Sequence, residues 1–421
     1  MDPIIMEAVH LMEAQQSDEA ISMLEDYLPK ADDEEKFTIA ELFTQWGFLA
    51  EAADLLEELM QRFPAESEIK IMLADVYIEQ DNDEEAINLL NEITEEDPDY
   101  VQTLIQLADL YQAQGLFEVA EQKLLTAKQQ EPTEPVIDFA LGELLFSNGD
   151  YREAITYYEK VLQVTKEMAN ISVNDRLAEA YAASGEYETA LELYQDIDSE
   201  HPDTMFKYGF TALHAGRRDI AIKAWQSVIE QDMYYHTAYY QLAKAYEDEG
   251  MINEAFKTAK QGIQIDEFNK ELYFFAGSIA HQLGKDEESE KWVREAIALD
   301  PDYKEALLFM VELLKQKDKH EDIVELITSV QDTEATDPLY EWELARAYNE
   351  LESYQNALTH YQEAYNHLNQ DSDFLKEYGY FLTEEGRIET ALQIFEAYLA
   401  IQPMDADIEE YVERLKDTQD T

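Results

Sequence analysis

Cysteine is absent from the chain. Disulfides, thiolate nucleophiles and Cys-ligated zinc or iron–sulfur centres are therefore excluded together, and the composition fits a reducing compartment. Basic residues are scarce: 30 Lys and Arg stand against 94 Asp and Glu, a formal net charge of −64. A surface of that sign repels phosphate backbones and anionic lipid headgroups, so neither nucleic-acid binding nor membrane insertion is expected. No apolar run approaches a membrane-spanning length, and the start, Met1-Asp2-Pro3-Ile4-Ile5-Met6-Glu7, carries no basic leader. The expected location is the cytoplasm.

Signatures of catalysis are missing as well. The chain holds no P-loop, no dinucleotide-binding glycine fingerprint, no HExxH and no GxSxG. Asp81-Asn82-Asp83-Glu84-Glu85 alternates acids as a calcium loop does, but lacks the glycine that such a loop needs at its sixth position. The eight histidines are scattered, with no pair at the helical spacing of a metal site. No residue is assigned to catalysis, a cofactor or a metal, and the chain is read as non-enzymatic.

What is present is abundant apolar material, 46% of residues with 27 Tyr and 17 Phe, enough to fold despite the charge. A length of 421 residues exceeds what one core serves, so the chain must be several domains or an array. Self-similarity decides for the array. A small residue recurs about every 34 positions, as Ala8, Ala40, Ala74, Ala108, Gly142, Ala178, Gly209, Ala243, Gly277, Ala345 and Gly379, with Val311 in the remaining slot. A second small residue follows each one in Ala20, Ala52, Ala86, Ala120, Ala154, Ala190, Ala221, Ala255, Ser289, Ala357 and Ala391, with bulky Ile323 as the exception. Between the two lies a break held by Gly47, Gly115, Gly149, Gly185, Gly216, Gly250, Gly284 and Gly386, where glycine ends a helix in positive φ at no steric cost. Each unit therefore reads as two helices crossing at small residues, where anything larger than methyl would push the axes apart. Pro64, Pro98, Pro132, Pro202, Pro301 and Pro403 punctuate the ends of units.

This pattern resembles the tetratricopeptide repeat family, and most cleanly in Leu107-Ala108-Asp109-Leu110-Tyr111 through Gly115, Phe117, Ala120, Ala127 and Pro132. The resemblance covers nearly the whole chain and implies an all-α, α-α superhelical solenoid of helix-turn-helix repeats. About twelve repeats are expected over residues 1–404, with joints near 163–171 and 311–338. A capping helix is expected over 405–417, with Ile408, Tyr411, Val412 and Leu415 on one stripe. One departure stands out: the family's large aromatic early in the first helix is replaced by Lys36, Lys70, Asp138, Asn174 and Glu341 in five repeats.

The resemblance also implies that one face of the first helices lines a partner-binding groove. Two positions a turn apart project from that face, just before and just after the signature small residue. They read as an apolar ladder, Phe37, Ile71, Ile105 and Phe139, beside an acidic ladder, Glu41, Asp75, Asp109, Glu143 and Glu179. Two readings stand for the apolar ladder: groove surface, or inter-repeat core replacing the missing aromatic. Further along, Phe206, Phe210, Tyr240, Phe274 and Trp342 interleave with Lys244 and Arg346, an aromatic stretch suited to a separate anchor site. The expected function is a scaffold or adaptor that binds a protein or peptide with a basic, amphipathic segment. The alternatives are an acidic regulator that mimics nucleic acid, with Asp32 to Glu35 and Glu95 to Asp99 as contacts, and a non-catalytic subunit of an enzyme complex.

Overall fold

The computed structural model describes residues 2–196, 201–330 and 337–419. Within them lie 25 α-helices and a single two-stranded hairpin, so the all-α repeat solenoid expected from the period is what the chain adopts. The helices follow one another as pairs, from Pro3–Glu13 with Ser17–Tyr27 to Ser372–Glu384 with Ile388–Ile401. Two compact units divide the chain, Met1–Arg217 and Arg218–Thr421.

The small residues do what their periodicity demands. All the signature positions are buried, and Val311 and Ile323, the bulky exceptions, are 1% exposed each. Gly142 and Gly379 sit where a side chain has no room: a β-carbon on Gly142 would lie 2.7 Å from the ring of Tyr158, and one on Gly379 the same distance from the ring of Phe395.

The break between paired helices is more regular than its glycines. Gln15, Asp81, Asp318 and Glu352 stand at the four break positions without glycine, and each has positive φ, between 49° and 63° for the six non-glycine residues with positive φ among the described residues. Repeat packing thus imposes the left-handed turn even on Gln15 and Glu352, whose side chains resist it. Relieving that strain at exposed Glu352, φ 55°, should stabilise the fold. The left-handed conformation costs an L residue about 1–2 kcal/mol, and the unfolded-state freedom of glycine returns part of this. Glu352→Gly is expected to gain about 0.5–1 kcal/mol in urea unfolding; a net loss would show that Glu352 holds the turn through contacts of its own.

In four of the five repeats where the family's early aromatic is missing, an ionisable side chain with a polar partner takes its place. Lys36 Nζ lies 2.6 Å from Glu58 and Lys70 Nζ 2.8 Å from Glu92. Buried Asp138 meets Lys128 at 2.7 Å, and buried Glu341 meets His360 Nδ1 at 2.6 Å, with that imidazole stacked on Tyr348. A second polar seam ties tyrosines of first helices to the preceding repeat: Tyr77 donates to Glu57 at 2.9 Å and Tyr181 to Glu159 at 2.8 Å.

At residues 163–171 the second helix of its repeat has ended at Leu162, and Glu167–Met168 pairs antiparallel with Ile171–Ser172 around Ala169 and Asn170, both with positive φ. Over 311–338 the helices Lys304–Lys315 and His320–Val330 are formed, while 331–336 lie outside the described residues. The last helix, Ala406–Gln419, buries Ile408 and Val412 on the core of the final pairs, with Tyr411 and Leu415 packed beside them. Pro202, read above as closing a unit, is the first residue of the helix Pro202–His214, a position where a missing N–H does no harm.

Candidate functional site

The acidic ladder is built by repetition. Glu41, Asp75, Asp109, Glu143 and Glu179 each follow a buried small residue in the first helix of successive repeats, which turns them to the same face. The structure then divides them by what the next repeat offers. Two residues before its signature small residue, the following repeat presents a side chain toward the preceding rung. Arg176 stands there for Glu143, at 3.2 Å, and also bonds Glu179 at 3.1 Å. Lys207 stands there for Glu179 and pairs with it, and Glu143 accepts from the hydroxyl of Tyr158 at 2.7 Å. These two rungs are neutralised from within.

The first three rungs are not. Glu41 and Asp109 are exposed, and the corresponding residues of the next repeats, Met72 and Ala140, can donate nothing. Asp75 accepts only a neutral bond, from Gln106 Nε2 at 2.9 Å. Among the described residues none of the three has a cationic partner. Loss of solvation raises the carboxyl of Asp109 above the usual carboxylate range, and desolvation followed by repulsion from Glu79 does the same for Asp75.

The apolar ladder has a different fate. Ile71 and Phe139 are 9% and 6% exposed and belong to the core, Phe139 with its ring 6.0 Å from that of Tyr158. They offer almost no surface to a partner. Phe37 and Ile105 are half-buried against the same kind of core.

In the second unit most of the aromatic stretch is consumed by packing between repeats. Tyr240 meets Phe275 edge to face at 5.7 Å, and Phe274 meets Tyr303 at 5.3 Å and Phe309 at 5.7 Å. Trp342 lies against Phe374 at 5.4 Å, donates to Glu377 at 2.9 Å and carries the Arg346 guanidinium 4.0 Å over its ring. Arg346 is spent on a forked bond to Glu377, at 2.8 and 2.6 Å, and on Glu343 at 2.9 Å. Burial opposes the ionised form of Glu377, but the bonds from Arg346 outweigh it and hold the carboxyl below its usual range. Lys244 is exposed. In the first unit, Phe206 and Phe210 lie one turn apart, rings 5.0 Å from each other.

The partner position two residues before the small residue is the feature that reasoning from single repeats misses. Its signal is present in the sequence, as Met72, Gln106, Ala140, Arg176 and Lys207, once the residues of neighbouring repeats are read against each other. Among the described residues no cluster could hold a metal ion, and no helix is long and apolar enough to cross a membrane.

Paired helices crossing at small residues, a left-handed break in every pair and one face of repeating register define a tetratricopeptide-repeat array. Family descriptions match it in segments: tetratricopeptide repeat over 47–106, 145–208, 236–269 and 270–303, YpiA-like tetratricopeptide repeats over 112–165, and YpiA-like C-terminal tetratricopeptide repeats over 338–405. Over 419 residues, 99% of either chain, it is 42% identical to the TPR repeat-containing protein YpiA of Bacillus subtilis (strain 168). The chain belongs to the YpiA-like family of tetratricopeptide-repeat proteins. Among solved structures it is similar to YrrB, described as a TPR protein with an unusual peptide-binding site, at 19% identity over 44% of this chain and 95% of that one, TM-score 0.38. It is also similar to a chain of the APC/C hetero-tetramer Cut9-Hcn1, at 15% identity over 97% of this chain and 95% of that one, TM-score 0.35. Neither likeness bears on what this chain binds.

Proposed function

We propose that this protein is a non-catalytic interaction scaffold of the cytoplasm, and that it holds a protein or peptide through a basic segment laid along Glu41, Asp75 and Asp109. One observation carries the reading: three carboxylates in register on consecutive repeats lack any cationic partner among the described residues, while the two rungs beyond them are matched by Arg176 and Lys207. Like charges held in register repel, and two of the three are also desolvated. A cationic segment relieves both penalties at once, so the face is complementary to a basic partner before any contact is counted.

The proposal makes stability and binding move in opposite directions. Asp75 and Asp109 have folded-state pKa values raised above their unfolded values. Ionisation therefore weakens the fold at pH above the folded values, and the penalty disappears as pH falls below the unfolded ones. At neutral pH the double variant Asp75→Asn, Asp109→Asn should unfold about 1–3 °C higher than the parent, an advantage that vanishes in acid. The same variant should bind a fluorescein-labelled oligolysine peptide several-fold more weakly. Unchanged melting together with unchanged binding would mark these acids as an ordinary solvated face.

A further inference from the structure

The acidic line runs into a hollow of different chemistry. In the seventh repeat Phe210 occupies the register position that Asp109 holds in the fourth, and around it opens a space of about 490 Å³ within the first unit. Its walls are rings: Phe146 from the helix Pro135–Asn148, Tyr187 from the start of Tyr187–Asp196, and Phe206, Phe210 and His214 from Pro202–His214. Tyr187 and His214 stack at 5.3 Å, which gives one wall a flat face. Ala182 and Ala183 also line it. Ala182 stands where the preceding repeat has Phe146 and the repeat before that Gln112, so the room exists because a small residue replaces a long or bulky one.

Charge selects the occupant. The one carboxylate on the wall, Glu179, is already paired with Lys207 and Arg176, so a cation entering here would find its counter-ion taken and two like charges beside it. Aromatic walls without a free charge suit an apolar side chain. We infer that the hollow receives an aromatic or branched aliphatic side chain from the same protein segment whose cations meet Glu41, Asp75 and Asp109. This rests on the function proposed above and adds an order to it. The segment is basic at the end over the second to fourth repeats, and apolar at the end over the fifth to seventh.

Fluorescence anisotropy on the full-length protein tests this with labelled peptides. One carries lysines at one end and phenylalanine and leucine at the other, joined by glycines. Its companions replace either the apolar pair by serines or the lysines by glutamates. Ala182→Phe fills the hollow and leaves every acid in place; Ala183→Trp, at an exposed position, does so from the rim and serves if the first variant loses helicity. The apolar-ended peptide is expected to bind the parent about tenfold more tightly than the serine-ended one, and either filled variant should abolish that difference. Binding of the serine-ended peptide should be the same to parent and variants. An apolar-ended peptide that binds filled and parent proteins alike, with lysine-dependent affinity intact, overturns the anchor and spares the acidic face. Peptides that fail to bind whatever their lysines overturn both.

Discussion

Gly277→Val is expected to lower the thermal midpoint of the second unit, Arg218–Thr421, by roughly 6–12 °C. A β-carbon at this position would lie 2.5 Å from Cγ2 of Val293, 3.2 Å from the backbone nitrogen of Val293 and 3.3 Å from the carbonyl oxygen of Ser289. Two of these three are backbone atoms of the partner helix Asp286–Leu299, which cannot swing aside as a side-chain terminus can. The helix would have to translate, and overpacking of this kind costs about 3 kcal/mol. The mechanism is graded. Gly277→Ala should lie between the parent and Gly277→Val, because the β-carbon already meets the clash and the γ-carbons extend it. Differential scanning calorimetry reads the series, and three equal midpoints would mean that the crossing yields without cost and that the small-residue period has another origin.

That period made the architecture legible. A helix pair needs one close crossing and one tight turn, and both constraints act within a stretch of residues that stays local in the chain. Gly142 opposite Tyr158 and Gly379 opposite Phe395 are visible as small residues before any coordinate is known. The turn was legible only where glycine marks it. Gln15, Asp81, Asp318 and Glu352 adopt the same conformation because helices on both sides demand it; aspartate tolerates it, whereas the preferences of Gln15 and Glu352 give no sign of it.

The site was harder to read, since its chemistry lies between repeats. The acidic rungs stand out at their spacing, but whether a rung keeps its charge depends on a residue in the next repeat. That is Met72 for Glu41 and Ala140 for Asp109, against Arg176 for Glu143 and Lys207 for Glu179. Ile71 and Phe139 were equally ambiguous, because an apolar residue at helical spacing serves a groove or a core alike. Packing between neighbouring repeats decides, and places both inside. In the same way Trp342 and Arg346 suggest a binding anchor to anyone reading one helix, until Glu377 of the following repeat is seen to engage both.

The central claim is that Glu41, Asp75 and Asp109 are kept uncompensated for a basic partner, and reversing them makes the second large prediction. With all three changed to lysine, attraction along the face becomes repulsion, and affinity for a cationic segment should fall by on the order of a hundredfold or more. Structure should survive, because Glu41 and Asp109 are exposed and Asp75 gives up only one neutral bond, to Gln106. Reversing Glu143 and Glu179 instead would set lysines against Arg176 and Lys207 and damage the fold, so it cannot serve as the equivalent test. The measurement is affinity capture from whole-cell extract with parent and triple variant side by side. Retained proteins would be identified by mass spectrometry, and helicity checked by circular dichroism. The account predicts a discrete protein with a basic segment that is retained by the parent and absent from the folded variant. Equal retention of the same proteins by both would contradict it.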